Sequence, residues 1–372
     1  MNEHNLNILL TNATDIYGGG EYFVSEVARL LRDRGHNTWV ACKPGNLLIK
    51  KCQDNGIPVY PLDFPARGEL RKYIGLLKDF ALKNAIDVIH TNSNYDRTAG
   101  AFAARLAGAK HVTNVHSFHS IQHNPTQWIR NRFATDHFLV DGFSVKELLE
   151  RQDGIAGRMI TVVHLGVDPD IMRTDKTLRA SFRAEFGVAD DEILIGNVGR
   201  LVPMKGQEYL LDAFAGIASS YPRSKLLLVG DGELMETLKE KSKGIPNRII
   251  FAGFRDDLKS AYSAFDIYAH PSVEGGGETF PFAVLQALSQ ELPAVVTRVG
   301  DVAHMVSEGV NGFVVPDRNP DALGERLRAL LQDEDLRQSM SRKSRELLLN
   351  RFTSGKMLET ILGVYASAVR PA

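Results

Sequence analysis

The chain of 372 residues reads as two α/β domains in tandem, each a parallel sheet with helices on both faces. Three observations predict this. Short apolar runs alternate with segments of helical spacing, the pattern of repeated βαβ units rather than of hairpins. The runs are almost continuously apolar, as strands are when helices cover both faces of their sheet. The alternation also occurs twice, in a chain longer than one α/β domain usually runs, with 44% hydrophobic residues available for two cores.

Residues 6–11 form the first apolar run, which ends in a polar and glycine-bearing loop. Helical spacing follows over 22–34 and stops at Gly35. Runs at 38–42, 59–62, 87–90, 111–115 and 137–140 read as buried strands, with helices between them at 69–83 and 97–106 among others. Residues 161–168 end this half, and the charged stretch 169–191 reads as a connection holding one helix, 178–186. The second alternation places strands at 193–198, 225–229, 248–252, 267–270 and 294–297, and helices at 207–219, 232–242, 258–264 and 282–289. Helices at 321–332, 335–350 and 354–368 complete the chain. The expected domains are therefore 1–170 and 192–352, with 171–191 as linker and a helical terminal segment over 353–372.

A net charge of −1 argues against a dedicated nucleic-acid binder, whose footprint is a clear basic excess. Cys42 and Cys52 lack metal-ligand spacing and form no disulfide framework, which fits a reducing compartment. The first ten residues carry no basic segment followed by a sustained apolar run, and no stretch has the roughly 18–20 apolar residues of a membrane span. A cytoplasmic location is expected.

The segment 271–287, Pro-Ser-Val-Glu-Gly-Gly-Gly-Glu-Thr-Phe-Pro-Phe-Ala-Val-Leu-Gln-Ala, carries the most chemistry. It reads as a strand end, a glycine loop with Glu278, and a helix opened by Pro281, a residue at home in a first helical turn. Such a helix N-terminus offers unpaired N–H groups and the positive end of a dipole, which suits an anion. A carboxylate beside that site is better employed accepting hydrogen bonds from neutral hydroxyls. Phosphate and hydroxyls together point to a nucleotide sugar. The second half opens with Val-Gly-Arg200-Leu-Val-Pro-Met-Lys205-Gly, where Arg200 and Lys205 stand on the loop leaving its first strand. A guanidinium is a bidentate partner for phosphate, and an ammonium adds a compact charge. Read alone, the two are also ordinary surface cations. Gly18, Gly19 and Gly20 follow the first strand of the chain and either permit close approach to a ligand or only form a tight turn. They lack the Gly-x-Gly-x-x-Gly spacing of a dinucleotide fingerprint, so a nicotinamide dehydrogenase is not favoured.

The segment around Glu278-Thr279-Phe280 resembles the Glu-x7-Glu signature of the retaining GT-B glycosyltransferases of family 4, or group 1. Arg200 and Lys205 match the Gly-Arg-x4-Lys-Gly motif of that group, and further landmarks fall in order along nearly the whole chain, including Val229-Gly-Asp-Gly232 and Ala252-Gly-Phe254. The resemblance implies two Rossmann-like domains facing each other across a cleft, with the last helix crossing back to the first domain. It implies Arg200 and Lys205 on the leaving diphosphate, His116 beside the reacting carbon of the donor sugar, and Glu278 on the sugar hydroxyls. Gly18, Gly19 and Gly20 would close over diphosphate and acceptor, and Phe254, Thr279, Phe280, Phe282 and Gln286 would line the donor site. The donor implied is a UDP- or GDP-sugar and the acceptor a glycan or lipid-linked saccharide, as in cell-surface polysaccharide or lipopolysaccharide synthesis, with no cofactor and no metal.

Gln286 is the departure, since the pattern has a second Glu there. A glutamine keeps one acceptor for a ribose hydroxyl and replaces the other with a donor. This opens the rival reading of a GT-B protein that binds nucleotide or glycan without transferring sugar. His116, His119 and His123 have a spacing that would suit a metal, but no cysteine or carboxylate ligand lies nearby in sequence. Asp168-Pro-Asp170 mimics a metal motif and reads as a turn. The helices at 69–83 and around Trp128 mix aromatic and basic residues, as helices resting on an anionic membrane do, and as amphipathic core helices also do.

Overall fold

The computed structural model describes residues 5–14, 18–64, 69–116, 118–275 and 278–369. These fall into two compact units, Met1–Leu165 with Ser354–Ala372, and Gly166–Thr353.

The first unit runs β1 (Asn7–Asn12), α1 (Gly19–Asp33), β2 (Asn37–Cys42), α2 (Leu47–Asp54), β3 (Val59–Pro61), α3 (Leu70–Lys83), β4 (Val88–Thr91), α4 (Arg97–Ala107) and β5 (Lys110–Val115). It continues with α5 (Pro125–Ile129), a π-helical turn (Arg130–Ala134), β6 (His137–Val140), α6 (Phe143–Gln152) and β7 (Ile160–Val162). All seven strands are parallel, in the order β3-β2-β1-β4-β5-β6-β7. Chain order reverses between β1 and β4, which makes that edge the topological switch point where open α/β sheets bind ligands. In α3 the apolar residues Tyr73, Leu77 and Ala81 are buried and the helix packs on α4, so this basic-aromatic helix is a core helix.

The second unit begins with α7 (Lys176–Glu185), β8 (Ile193–Val198), α8 (Gln207–Ala218), β9 (Ser224–Val229), α9 (Met235–Ser242), β10 (Ile249–Gly253) and α10 (Leu258–Ala264). It ends with β11 (Ile267–His270), α11 (Phe282–Ser289), β12 (Ala294–Thr297), β13 (Gly312–Val315), α12 (Pro320–Gln332) and α13 (Glu334–Arg351). Its six parallel strands have the order β10-β9-β8-β11-β12-β13, with the switch point between β8 and β11. The helix α7, placed by the sequence in a connecting stretch, packs on α10. Arg179 and Arg183 both reach Asp266, at 2.7 and 3.2 Å, which ties the helix into this unit. The last helix, α14 (Ser354–Val369), belongs to the first unit, where it lies against α1 and β5, and Tyr365 Oη meets His90 Nδ1 at 2.6 Å.

Candidate functional site

In the second unit the site grows out of the loops that leave β8 and β11, the two strands flanking its switch point. Residues Pro203–Lys205 form a 3-10 turn, and Gly206 then turns the chain into α8 with φ +63. A Cβ on Gly206 would stand 2.1 Å from the Pro271 carbonyl oxygen, so only glycine lets this loop press against the end of β11. Val273 N–H donates to Met204 O at 3.0 Å and fastens the two loops together. Lys205 Nζ is thereby brought onto Glu278 Oε2, with the two side chains 22% and 12% exposed. Ser272 Oγ donates to the same oxygen at 2.9 Å. Burial opposes the charge on Glu278, but the polar surroundings supplied by His270 and the Lys205 ammonium outweigh it and hold the carboxyl well below the usual carboxylate range. Gly300, at φ +54, passes so close that a Cβ would meet Glu278 O at 2.3 Å, and Asp301 N–H donates to Thr279 O at 2.9 Å. Glu278 is thus held by side chains and backbone alike.

Arg200 is exposed, with no ion pair among the described residues, and its carbonyl accepts from the buried Gln207 Nε2 at 2.9 Å, which anchors the backbone beneath the guanidinium. Gly230 and Gly232, in the left-handed half of backbone space at φ +139 and +159, pack on the carbonyls of Gly199 and Leu201 and brace the same loop from β9. The helix α11 begins at Phe282 with Pro281 as its N-cap rather than its first residue. No side chain caps it and no acidic residue lies in its first turn. The positive end of its dipole lies toward the Glu278 loop that precedes it. Thr279 and Phe280 are buried, Phe280 with its ring 5.4 Å from that of Phe352, so these residues offer backbone rather than side chains. Phe282 is half-buried, and Gln286 is buried on the second turn of α11. Phe254 stands just past the end of β10, 79% exposed, away from the switch point.

In the first unit Gly18 is the N-cap of α1 and Gly19 and Gly20 are its first residues, so the expected loop is a helix start. Tyr17 lies outside the described residues. Glu21 folds back to accept from Gly18 N–H at 2.8 Å and from Asn12 Nδ2 at 3.0 Å, and it also meets Thr14 Oγ1. A Cβ on Gly20 would come within 3.8 Å of His116 Cδ2, which puts the glycine start of α1 beside the histidine that follows β5. His116 Nδ1 lies 3.0 Å from both oxygens of Asp141, the residue that follows β6. Burial disfavours the imidazolium, yet the Asp141 charge and hydrogen bond prevail and raise the His116 pKa above its ordinary 6.5.

The three spaced histidines do not converge. His116 faces Asp141, whereas His119 Nε2 lies 3.0 Å from Asn94 Nδ2. Asp168 Oδ1 accepts from the N–H groups of Asp170 and Ile171 at 3.0 and 3.2 Å, as a turn requires. Among the described residues no group of three or more His, Cys, Asp and Glu is arranged to hold a metal ion. Sequence reasoning passed over Asp141, Glu21, His270 and Ser272. Their common signal is position, because each stands at or just beyond the C-terminal end of a parallel strand or on the helix start that follows it.

Residues 179–347 match the family described as glycosyl transferases group 1, and residues 17–171 match glycosyltransferase family 4. An uncharacterised glycosyltransferase of Methanocaldococcus jannaschii is 25% identical over 349 residues, covering 85% of this chain and 86% of that protein. The UDP-Gal:α-D-GlcNAc-diphosphoundecaprenol α-1,3-galactosyltransferase of Escherichia coli is 27% identical over 322 residues, covering 81% and 80%. The crystal structure of Anabaena HepE in complex with UDP superposes with a TM-score of 0.86 at 23% identity, over 97% of this chain and all of that one (100%), a likeness of fold. Two parallel-sheet units of the GT-B type, with family matches to both, make the chain a member of the group 1 glycosyltransferases.

Proposed function

We propose that this glycosyltransferase moves a hexose from a UDP- or GDP-sugar to a glycan or lipid-linked saccharide with retention of configuration and without a metal, in the synthesis of a cell-surface polysaccharide or lipopolysaccharide at the cytoplasmic face. The observation that carries the reading is the pairing of Lys205 with Glu278 at the switch point of the second unit, with an exposed Arg200 and the start of α11 on the neighbouring loops. One anionic and two cationic groups suit a substrate that is itself part neutral sugar and part diphosphate. As the bond from the anomeric carbon to the diphosphate oxygen breaks, its electron pair stays on that oxygen. Arg200, Lys205 and the α11 dipole stabilise the charge, and fixed donors of this kind contribute several kcal/mol. The acceptor oxygen forms the new bond on the same face, and its proton passes to the departing phosphate. Glu278 holds hydroxyls of the sugar, His116 lies beside the reacting carbon, and Gln286 accepts from the ribose.

The Escherichia coli relative, by its name, uses UDP-Gal and a diphosphoundecaprenol acceptor, which supports a nucleotide-sugar donor and a lipid-linked acceptor here. No described helix is long and apolar enough to cross a membrane. Contact with an anionic surface falls instead to Trp128, Ile129 and Phe133, which are exposed beside Arg132 on α5 and the π turn. The deciding experiment incubates the pure protein with a panel of UDP-, GDP- and ADP-sugars and reads released sugar and nucleotide by mass spectrometry. Release from one donor, with an anomeric NMR signal that retains the donor configuration, supports the reading. Absence of release from every donor returns the protein to the class of non-catalytic binders.

A further inference from the structure

We infer that His270 is a positioning residue for Glu278, loading one carboxylate oxygen so that the other stays open to the donor sugar; the inference rests on the role of Glu278 proposed above. His270 ends β11 and is buried, as are Tyr268 two residues before it and Ser272 two residues after it. Tyr268 Oη lies 3.3 Å from His270 Nδ1. His270 Nε2 lies 3.1 Å from Ser272 Oγ and 3.6 Å from Glu278 Oε2. Ser272 Oγ donates to that same Oε2, which also meets Lys205. Glu278 Oε1 accepts no hydrogen bond from a described side chain.

The order of the protons follows from chemistry. The Glu278 carboxylate only accepts, so Ser272 Oγ gives it its proton and accepts from His270 Nε2, which leaves Nδ1 of the neutral ring to accept from the Tyr268 phenol, kept protonated by burial. A histidine that accepts at Nδ1 carries its own proton on Nε2. That Nε2–H donates to Ser272 Oγ, whose hydroxyl proton is then committed to Glu278 Oε2. The chain Tyr268, His270, Ser272, Glu278 therefore runs in one direction and ends on one oxygen. A histidine that merely fills space beneath the loop has no such requirement and accepts either tautomer.

Selective 15N-histidine NMR of the whole protein tests the tautomer directly, with the His270 signal identified by its loss in His270→Gln or, should that variant not fold, by its displacement in Tyr268→Phe. The expected wild-type signature is a neutral ring protonated at Nε2. A ring protonated at Nδ1, or a doubly protonated one at neutral pH, overturns the inference. The kinetic arm measures donor hydrolysis in His270→Leu, Ser272→Ala and the double variant, with UDP and GDP titrated separately. Each single change is expected to lower kcat/KM for the donor roughly tenfold. The double variant should lose no more than either alone, His270→Gln should recover most of the rate, and affinity for the free nucleotide should be unchanged. Multiplying losses, or an equal loss of nucleotide affinity, shows that His270 serves packing and not Glu278. If wild type hydrolyses no nucleotide sugar, the proposed function fails, while the NMR arm still judges the relay.

Discussion

Arg200→Ala and Lys205→Ala remove like charges from the same candidate site, but the structure assigns them different consequences. Arg200 is exposed and makes no ion pair among the described residues, so its loss should change stability by no more than about 0.5 kcal/mol. Lys205 neutralises Glu278, whose side chain is only 12% exposed, and removing it strands a largely desolvated carboxylate. A wholly buried charge stripped of its partner costs about 3–5 kcal/mol. Here Ser272 still donates to Glu278, so about 1–2 kcal/mol is expected. For turnover the two converge. Each withdraws a fixed cation from the departing diphosphate, worth about 3 kcal/mol or roughly 100-fold in rate. The assay pairs donor-hydrolysis turnover with urea unfolding of both variants. Turnover within threefold of wild type for Arg200→Ala would refute the diphosphate assignment, because no loss of stability stands between that side chain and the rate.

Three further outcomes are expected. Asp141→Asn should lower the His116 pKa, seen as a downward shift of one limb of the pH–rate profile. Because the folded His116 pKa is raised, the stabilisation from Asp141 is present below the unfolded value near 6.5 and lost as pH rises through the folded one. The variant should therefore lose more stability in urea at pH 5.5 than at pH 8.5 (values of about one unit or more to either side), and equal losses would remove Asp141 from that role. Turnover should persist in excess chelator, whereas strict dependence on magnesium or manganese would return attention to Asp168 and Asp170 or to the histidine cluster. Gln286→Glu should keep activity or tighten donor binding modestly, and Gln286→Leu should weaken it by about 1–2 kcal/mol. Equal activity in all three proteins would mean that residue 286 does not touch the ribose.

Much of the fold was legible because long periodic segments carry their own signal. The sequence places α10, α11, β6, β11 and β12 at their observed bounds, and most other elements within one to three residues. The elements it passed over are short or locally ambiguous. Helix α2 has only Leu48 and Cys52 buried, too few to establish a period. Helix α6 starts directly after β6 and Asp141, where strand and helix signals run together. Strand β13 has four residues and begins at a glycine, yet that glycine marks its position. A Cβ on Gly312 would stand 2.0 Å from Ala294 O, so the edge strand pairs with β12 only because the side chain is missing.

The site was legible to a different degree, for a physical reason. Arg200, Lys205 and Glu278 have the right side chains for a diphosphate and a sugar, but sequence cannot weigh a charge whose partner is distant. Lys205 and Glu278 are separated by 73 positions, and nothing local to either announces the pair. What the sequence does carry is the condition for the pair, namely Gly206, whose positive φ and absent Cβ let the Lys205 loop touch the end of β11. The same holds for Asp141 beneath His116 and for His270 beneath Glu278. In each case the residue proposed to meet substrate has a type one can name from chemistry, while the residue packed against it is known only once parallel strands bring their C-terminal ends into line. Reading the one or two residues after every apolar run, whatever their type, would have recovered Asp141 and Ser272 together with Arg200 and His116. That procedure follows from sheet topology alone, because in a parallel sheet every strand delivers its next residue to the same edge.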